Sequence, residues 1–124
     1  MTKLILKTGS ERDFFKRGRQ LAQAADQGKP LPDERVLSFE DPNDMMKLVT
    51  EARLTLFRAV KETPGSITEI AARLRRDRSA VKRDIDELEH AGLLSIAEKP
   101  LPGHGRMKEV RATAKRFSLQ AEVV

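Results

Sequence analysis

Apolar residues recur along this chain at two spacings, and the spacings change at residues that stop regular structure. Residues 3–7 (KLILK) form a short apolar run that reads as a strand, and Thr8-Gly9 breaks it. Ser10 then reads as a helix cap, with Asp13 three residues on. The helix it opens runs to about Gln27, with Phe14, Leu21 and Ala25 on one face and Phe15 and Ala22 beside them. Gly28 and the segment KPLP (29–32) end it. Residues 34–40 (ERVLSFE) read as a second strand. Asp41-Pro42 fits a helix start, and in the short helix that follows Met45 and Met46 are expected in the core. Thr50 caps EARLTLFRAVKE, with Leu56 and Val60 on one face and Leu54 and Phe57 on its flank, and Thr63-Pro64-Gly65 closes it.

From Ser66 the elements shorten. Ser66-Ile67 reads as a minimal strand, and Thr68 is expected to cap a helix reaching about Arg75, with Ile70, Ala71 and Leu74 inward. Arg76-Asp77-Arg78 is the connection, and Ser79 is expected to cap the next helix. There Val81, Ile85 and Leu88 form a stripe at i, i+4, i+7. Ala91-Gly92 ends that helix. A strand (LLSIAE), a Pro/Gly-rich loop (KPLPGHGRMK) and a strand (EVRATA) follow, and the alternation of Phe117, Leu119, Ala121 and Val123 predicts a further strand. The expected class is α+β, mainly helical, divided into an N-terminal strand-helix-strand appendage (1–49) and a compact unit (50–124).

Composition narrows the chemistry. The chain has 124 residues, a net charge of +5 and no cysteine, which excludes disulfides and thiolate metal sites. Two histidines, His90 and His104, are too few for a zinc site, so neither metal nor cofactor is expected. A basic balance favours an anionic partner. Trp and Tyr are absent, which argues against stacking platforms for single strands. The N-terminus carries an apolar run too short for a signal peptide or a membrane span, so the expected location is the cytoplasm.

Helix, minimal strand, helix, tight turn, helix, strand, loop, strand is the order of a winged helix-turn-helix. The stretch TEARLTLFRAVKETPGSITEIAARLRRDRSAVKRDIDELEHAGLL resembles the MarR-like winged-helix transcriptional regulators, and its close, ELEHAGLL, resembles the end of their recognition helices. Charge supports the reading independently. Residues 73–83 carry six basic side chains and one acidic, whereas 84–89 carry four acidic and none basic. Only the start of this helix suits a phosphate-lined groove, which is where helix-turn-helix proteins read bases, and the helix dipole adds positive charge there.

The expected base readers are Ser79, Ala80, Lys82 and Arg83, with Arg83 placed for bidentate contact to guanine. Arg73, Arg75, Arg76 and Arg78 flank the turn and are expected on phosphates, which position rather than specify. The resemblance implies a phosphate contact for Thr68. His104 and Arg106 mark the wing tip, with Lys108 on the backbone and Arg111, Lys115 and Arg116 extending the strip. The expected partner is double-stranded DNA, bound as a homodimer joined through the appendage. The alternative is the antitoxin of a toxin–antitoxin pair, holding a cognate toxin and repressing its own operon. RNA binding is disfavoured by the few aromatics. An enzyme is disfavoured because no phosphate loop and no nucleophile–base constellation is present.

Overall fold

The computed structural model describes residues 3–31, 33–103 and 105–123. The elements are β1 (Lys3–Thr8), α1 (Glu11–Asp26), β2 (Glu34–Phe39), α2 (Pro42–Leu48), α3 (Glu51–Glu62), α4 (Ile67–Leu74), α5 (Arg78–His90), β3 (Leu94–Leu101), β4 (Gly105–Ala112) and β5 (Arg116–Gln120). They form two compact units, Leu48–Thr113 and a second made of residues 1–47 with 114–124. The tail, expected with the winged unit (50–124), therefore pairs elsewhere. Its side-chain alternation marks a strand but carries no information about the partner strand.

The Leu48–Thr113 unit is a winged helix-turn-helix. Leu56, Phe57 and Val60 of α3, Ile67, Ile70 and Ala71 of α4, and Val81, Ile85 and Leu88 of α5 are buried with Leu93, Leu94 and Val110. Each helix contributes a stripe at helical spacing, and three stripes enclose one core. The minimal strand is reduced to Gly65, which exchanges two backbone hydrogen bonds with Val110 (3.3 and 2.8 Å). The cap of α4 is Ser66, not Thr68: its hydroxyl accepts from Glu69 N–H, and the Glu69 carboxylate accepts in return from Ser66 N–H. Likewise Asp77, not Ser79, caps α5, accepting from Ala80 N–H at 3.2 Å. At the far end of α5, Gly92 adopts φ +87, which lets Leu93 N–H reach Leu88 C=O and Gly92 N–H reach Glu89 C=O, both 2.9 Å.

The wing is longer than the sequence suggests. β3 and β4 pair antiparallel from Leu94↔Ala112 to Leu101↔Gly105, so most of the expected Pro/Gly-rich loop is strand. Val110 turns its backbone groups to Gly65, so Ile96↔Val110 and, by alternation, Pro100↔Arg106 are non-hydrogen-bonded pairs, and Pro100 sits in the ladder without removing a needed donor. Gly103 and Gly105, at φ near +80, make the turn.

The second unit is a parallel three-stranded sheet in the order β2-β1-β5, with β1 in the middle. Leu4 and Leu6 are fully buried and share a face with Leu37, Phe117 and Leu119, while Ile5 and Val36 share the other. Between β1 and β2 runs α1, the expected crossover of parallel strands. Ser10 caps it in a reciprocal box with Asp13. Arg17 of α1 pairs with Glu34 of β2, and Phe14, Gly18, Leu21 and Val36 line one groove. None of the residues of α1 is buried: Phe14 and Phe15 are 56% and 54% exposed, packed edge-to-face on each other. In α2, Met45 is buried as expected but Met46, about 100° further round the helix, is 64% exposed.

Candidate nucleic-acid interface

The exposed face of α5 carries Ser79, Lys82, Arg83, Asp86 and His90, opposite the buried Val81, Ile85 and Leu88. Arg83 stands exposed in the second turn. Lys82 is exposed too, but its ammonium lies 2.7 Å from Asp86 one turn on, an exposed pair of small energy that a stronger anion displaces. Ala80 is half-buried at the edge of this face. With Asp77 as cap, Ser79 lies inside the first turn, and the start of the helix carries one carboxylate among its cations.

Three of the turn arginines have intramolecular duties that their charge alone does not reveal. Arg73 donates to the carbonyls of Thr63 (2.8 Å) and Ala59 (3.4 Å), closing the C-terminus of α3. Arg78 donates from Nε to the Thr68 hydroxyl (3.0 Å), tying the first turn of α5 to the first turn of α4. Arg76 pairs with Asp84 of α5 at 2.8 Å, and Arg53 of α3 holds the other oxygen of the same carboxylate at 3.1 Å. Arg53 also donates to Leu48 C=O at 3.0 Å. Burial pushes the Asp84 carboxyl up, but the hydrogen bonds and charges of Arg76 and Arg53 outweigh it and hold it below the usual carboxylate range. In the sequence Asp84 stands out only as one of the four acids of residues 84–89. The missed signal was its position three residues after Val81 and one before Ile85, on the margin of the buried stripe.

Arg75 differs from its neighbours. It is exposed and left-handed, at φ 52 and ψ 46, and the residue that follows it turns back so that Arg76 N–H reaches Ala71 C=O. Glycine takes this conformation freely, whereas an L side chain there costs about 1–2 kcal/mol. Arg75→Gly is expected to leave the unit as stable or up to about 1 kcal/mol more stable in chemical denaturation, once glycine's own entropy is set against the relief. The same substitution is expected to weaken binding to any DNA duplex. A gain in both quantities would exclude a phosphate role for this side chain.

On the wing, Arg106 is 73% exposed and donates to Glu98 at 3.1 Å across the ribbon. Lys108 is exposed and lies in register with Glu98. Glu109 is buried between Lys99 (2.9 Å) and Arg111, and these two hydrogen bonds hold its carboxyl below the usual range. Lys115 and Arg116, expected to extend the basic strip, belong to the other unit. His104 lies outside the described residues. No group of three or more carboxylate or histidine side chains among the described residues is placed to hold a metal, and none of their helices is long and apolar enough to cross a membrane.

Fold and exposed surface together define a winged helix-turn-helix protein with an appended parallel sheet. The HVO_A0114 family model matches residues 48–119, more than half of the chain, and the chain belongs to that family. No curated protein matches it. Among solved structures it is similar to a possible transcriptional regulator from Methanosarcina mazei (18% identity, 62% of this chain and 68% of that one, TM-score 0.49). It is also similar to a MarR-like transcriptional regulator from Thermotoga maritima (21% identity, 85% and 66%, TM-score 0.46). A third is the ZitR protein of Lactococcus lactis, solved as a point mutant in complex with DNA (16% identity, 86% and 68%, TM-score 0.45).

Proposed function

We propose that the chain is a sequence-specific regulator of transcription that binds double-stranded DNA. In this reading α5 enters the major groove by its first two turns and the wing lies on the backbone or in the minor groove. The observation that carries the proposal is the sorting of charge on the solvent face of α5: Ser79, Lys82 and Arg83 at the start, Asp86, Glu87 and Glu89 behind. A helix bearing its acids along its whole length would be repelled by phosphates; this one is repelled only beyond its second turn. Arg83, Lys82 and Ser79 read bases, with Ala80 against the groove wall, and Arg75, Thr68, Arg78 and the exposed edges of Arg73 and Arg76 face phosphates. Arg106 and Lys108 contact DNA from the wing. The protein acts as a homodimer joined through its N-terminal residues, so that two recognition helices address two half-sites.

Selection of bound sequences from a random duplex pool at physiological salt tests this reading. The expected outcome is enrichment of an inverted repeat whose half-sites lie about one helical turn apart. Recovery of an unenriched pool would remove sequence-specific recognition. The exposed Phe14–Phe15 pair on α1 favours a second, compatible reading, in which the appended unit holds a protein partner as an antitoxin holds its toxin. Co-expression with the product of an adjacent small gene, followed by joint purification, tests it; loss of the complex in Phe15→Asp is the expected result.

A further inference from the structure

We infer that α1 is where a second copy of this chain docks: the two α1 helices pack antiparallel about a twofold axis, with Gly18 against Ala22 of the partner subunit. The inference rests on the homodimer reading above and names the surface that makes it. It gives the exposed Phe14–Phe15 pair to a second copy rather than to a foreign protein.

Two sides of α1 are apolar, and the sheet covers only one. Arg17, Leu21 and Ala24 are the half-covered residues, and Arg17 pairs with Glu34 of β2. Phe14, Phe15, Gly18, Ala22 and Ala25 fall within about 100° of arc on the neighbouring side, and all five are exposed.

Gly18 is the residue of this stripe that the single chain does not explain. Glycine inside a helix is destabilising relative to alanine, because it has more freedom to lose on folding. Its backbone is helical and not left-handed. A methyl group at Gly18 would meet nothing within 4 Å outside its own helix backbone and chain neighbours. What a missing side chain does allow is close approach of another backbone.

The order of sizes along the stripe makes it its own complement. Two bulky rings stand near the start of α1, and small residues follow at Gly18, Ala22 and Ala25. With the axis level with Gln20, Phe15 comes down on Ala25 of the partner subunit, and Gly18 on the partner subunit's Ala22. Bulk thus meets space at both ends, and the helices close together at the centre. Parallel packing would stack ring on ring at one end and leave a gap at the other. A foreign protein would need no such internal matching of large and small positions. On the rim, Arg12 comes level with the partner subunit's Asp26, and symmetry repeats the pair. Arg19 approaches the partner's Arg19 near the axis, a like-charge contact at exposed side chains that salt screens.

Sedimentation equilibrium of the full chain tests the inference, with urea unfolding of the dilute chain beside it. The wild type is expected to dimerise at micromolar concentration. Gly18→Ala is expected to act with opposite signs in the two measurements. As a better helix former it raises the unfolding midpoint of the dilute chain, while its methyl raises the dissociation constant of the dimer by roughly tenfold or more. Gly18→Leu is expected to abolish the dimer. Arg12→Asp and Asp26→Arg each place a charge that favours the helix dipole, so neither unfolds α1. Each is expected to weaken the dimer by about threefold or more, and the double swap to restore it. A double swap that stays weak would overturn the antiparallel pairing. A dimer that ignores Gly18→Leu would overturn the seam and leave the homodimer intact. If Gly18→Leu instead abolishes joint purification with the product of the adjacent gene, the face belongs to a foreign protein and the inference falls. A monomeric mass at micromolar concentration would overturn both seam and homodimer. DNA binding, followed separately by fluorescence anisotropy, judges the regulator reading.

Discussion

Asp84→Ala is expected to lower the unfolding free energy of the winged unit by about 3–5 kcal/mol, the usual effect of removing one partner from a buried ion pair. The carboxylate is buried and joins three parts of the unit: Arg53 from α3, Arg76 from the turn, and its own helix α5. Its removal leaves two guanidinium groups facing each other across the vacated space. Arg76 Nη1 is already buried with no hydrogen-bond partner among the described residues, so the loss of Asp84 would leave Nη2 unpaired as well. Asp84→Asn keeps the shape and one acceptor and is expected to lose less. Acidity separates the charge from the shape. Because the Asp84 carboxyl sits lower in the folded chain than in the unfolded one, its contribution is complete above the ordinary carboxylate value of about 4. That contribution is lost as pH falls through this value toward the lower folded one. Urea titrations of the wild type and Asp84→Asn should therefore differ most at neutral pH and converge in acid. A difference that stays constant down to about pH 3, below the ordinary carboxylate value, would show that the carboxylate's charge is not what stabilises the unit.

Arg83→Ala is expected to weaken binding to the selected operator by about 1–3 kcal/mol for each half-site and to relax the preference at one base pair in each. Binding to random duplex should change far less, by one phosphate contact at most. Arg83 lies on the solvent face of α5, so thermal unfolding should be unaffected. Arg83→Lys sharpens the test, since an ammonium keeps the charge but cannot form the two-pronged contact to guanine. If operator and random duplex weaken equally in anisotropy titrations, Arg83 is a phosphate contact and the readers must be sought at Ser79 and Lys82. Arg75→Gly supplies the contrasting pattern, an equal loss on both kinds of DNA.

The helices of the winged unit were legible because local chemistry marks their ends. Thr50 and Gly92 act where the sequence placed them, and the stripe Val81, Ile85, Leu88 is the core face of α5. Two caps lie two residues before the positions the sequence suggests. At α4 the reciprocal pair Ser66 and Glu69 outweighs the later Thr68, and at α5 Asp77 is the better acceptor two residues before Ser79. The basic run at 73–83 was visible, but its division of labour was not. Whether an arginine is held by Asp84, by the end of α3 or by nothing nearby depends on side chains brought in from other helices. Parallel pairing of β1 with β5 was likewise out of reach, because strand alternation names a face and never a neighbour.

The pairing of β1 with β5 sets the order in which the two units can form. The winged unit is one continuous stretch of chain, and all its contacts are in hand once Thr113 has been synthesised. The sheet is not: β1 precedes the winged unit in the chain and β5 follows it, yet Leu4 lies beside Phe117. Such non-local pairing is slow to close and leaves β1 open to other strands in the interval. Folding order thus departs from chain order, for β1 is made before the winged unit and settles after it.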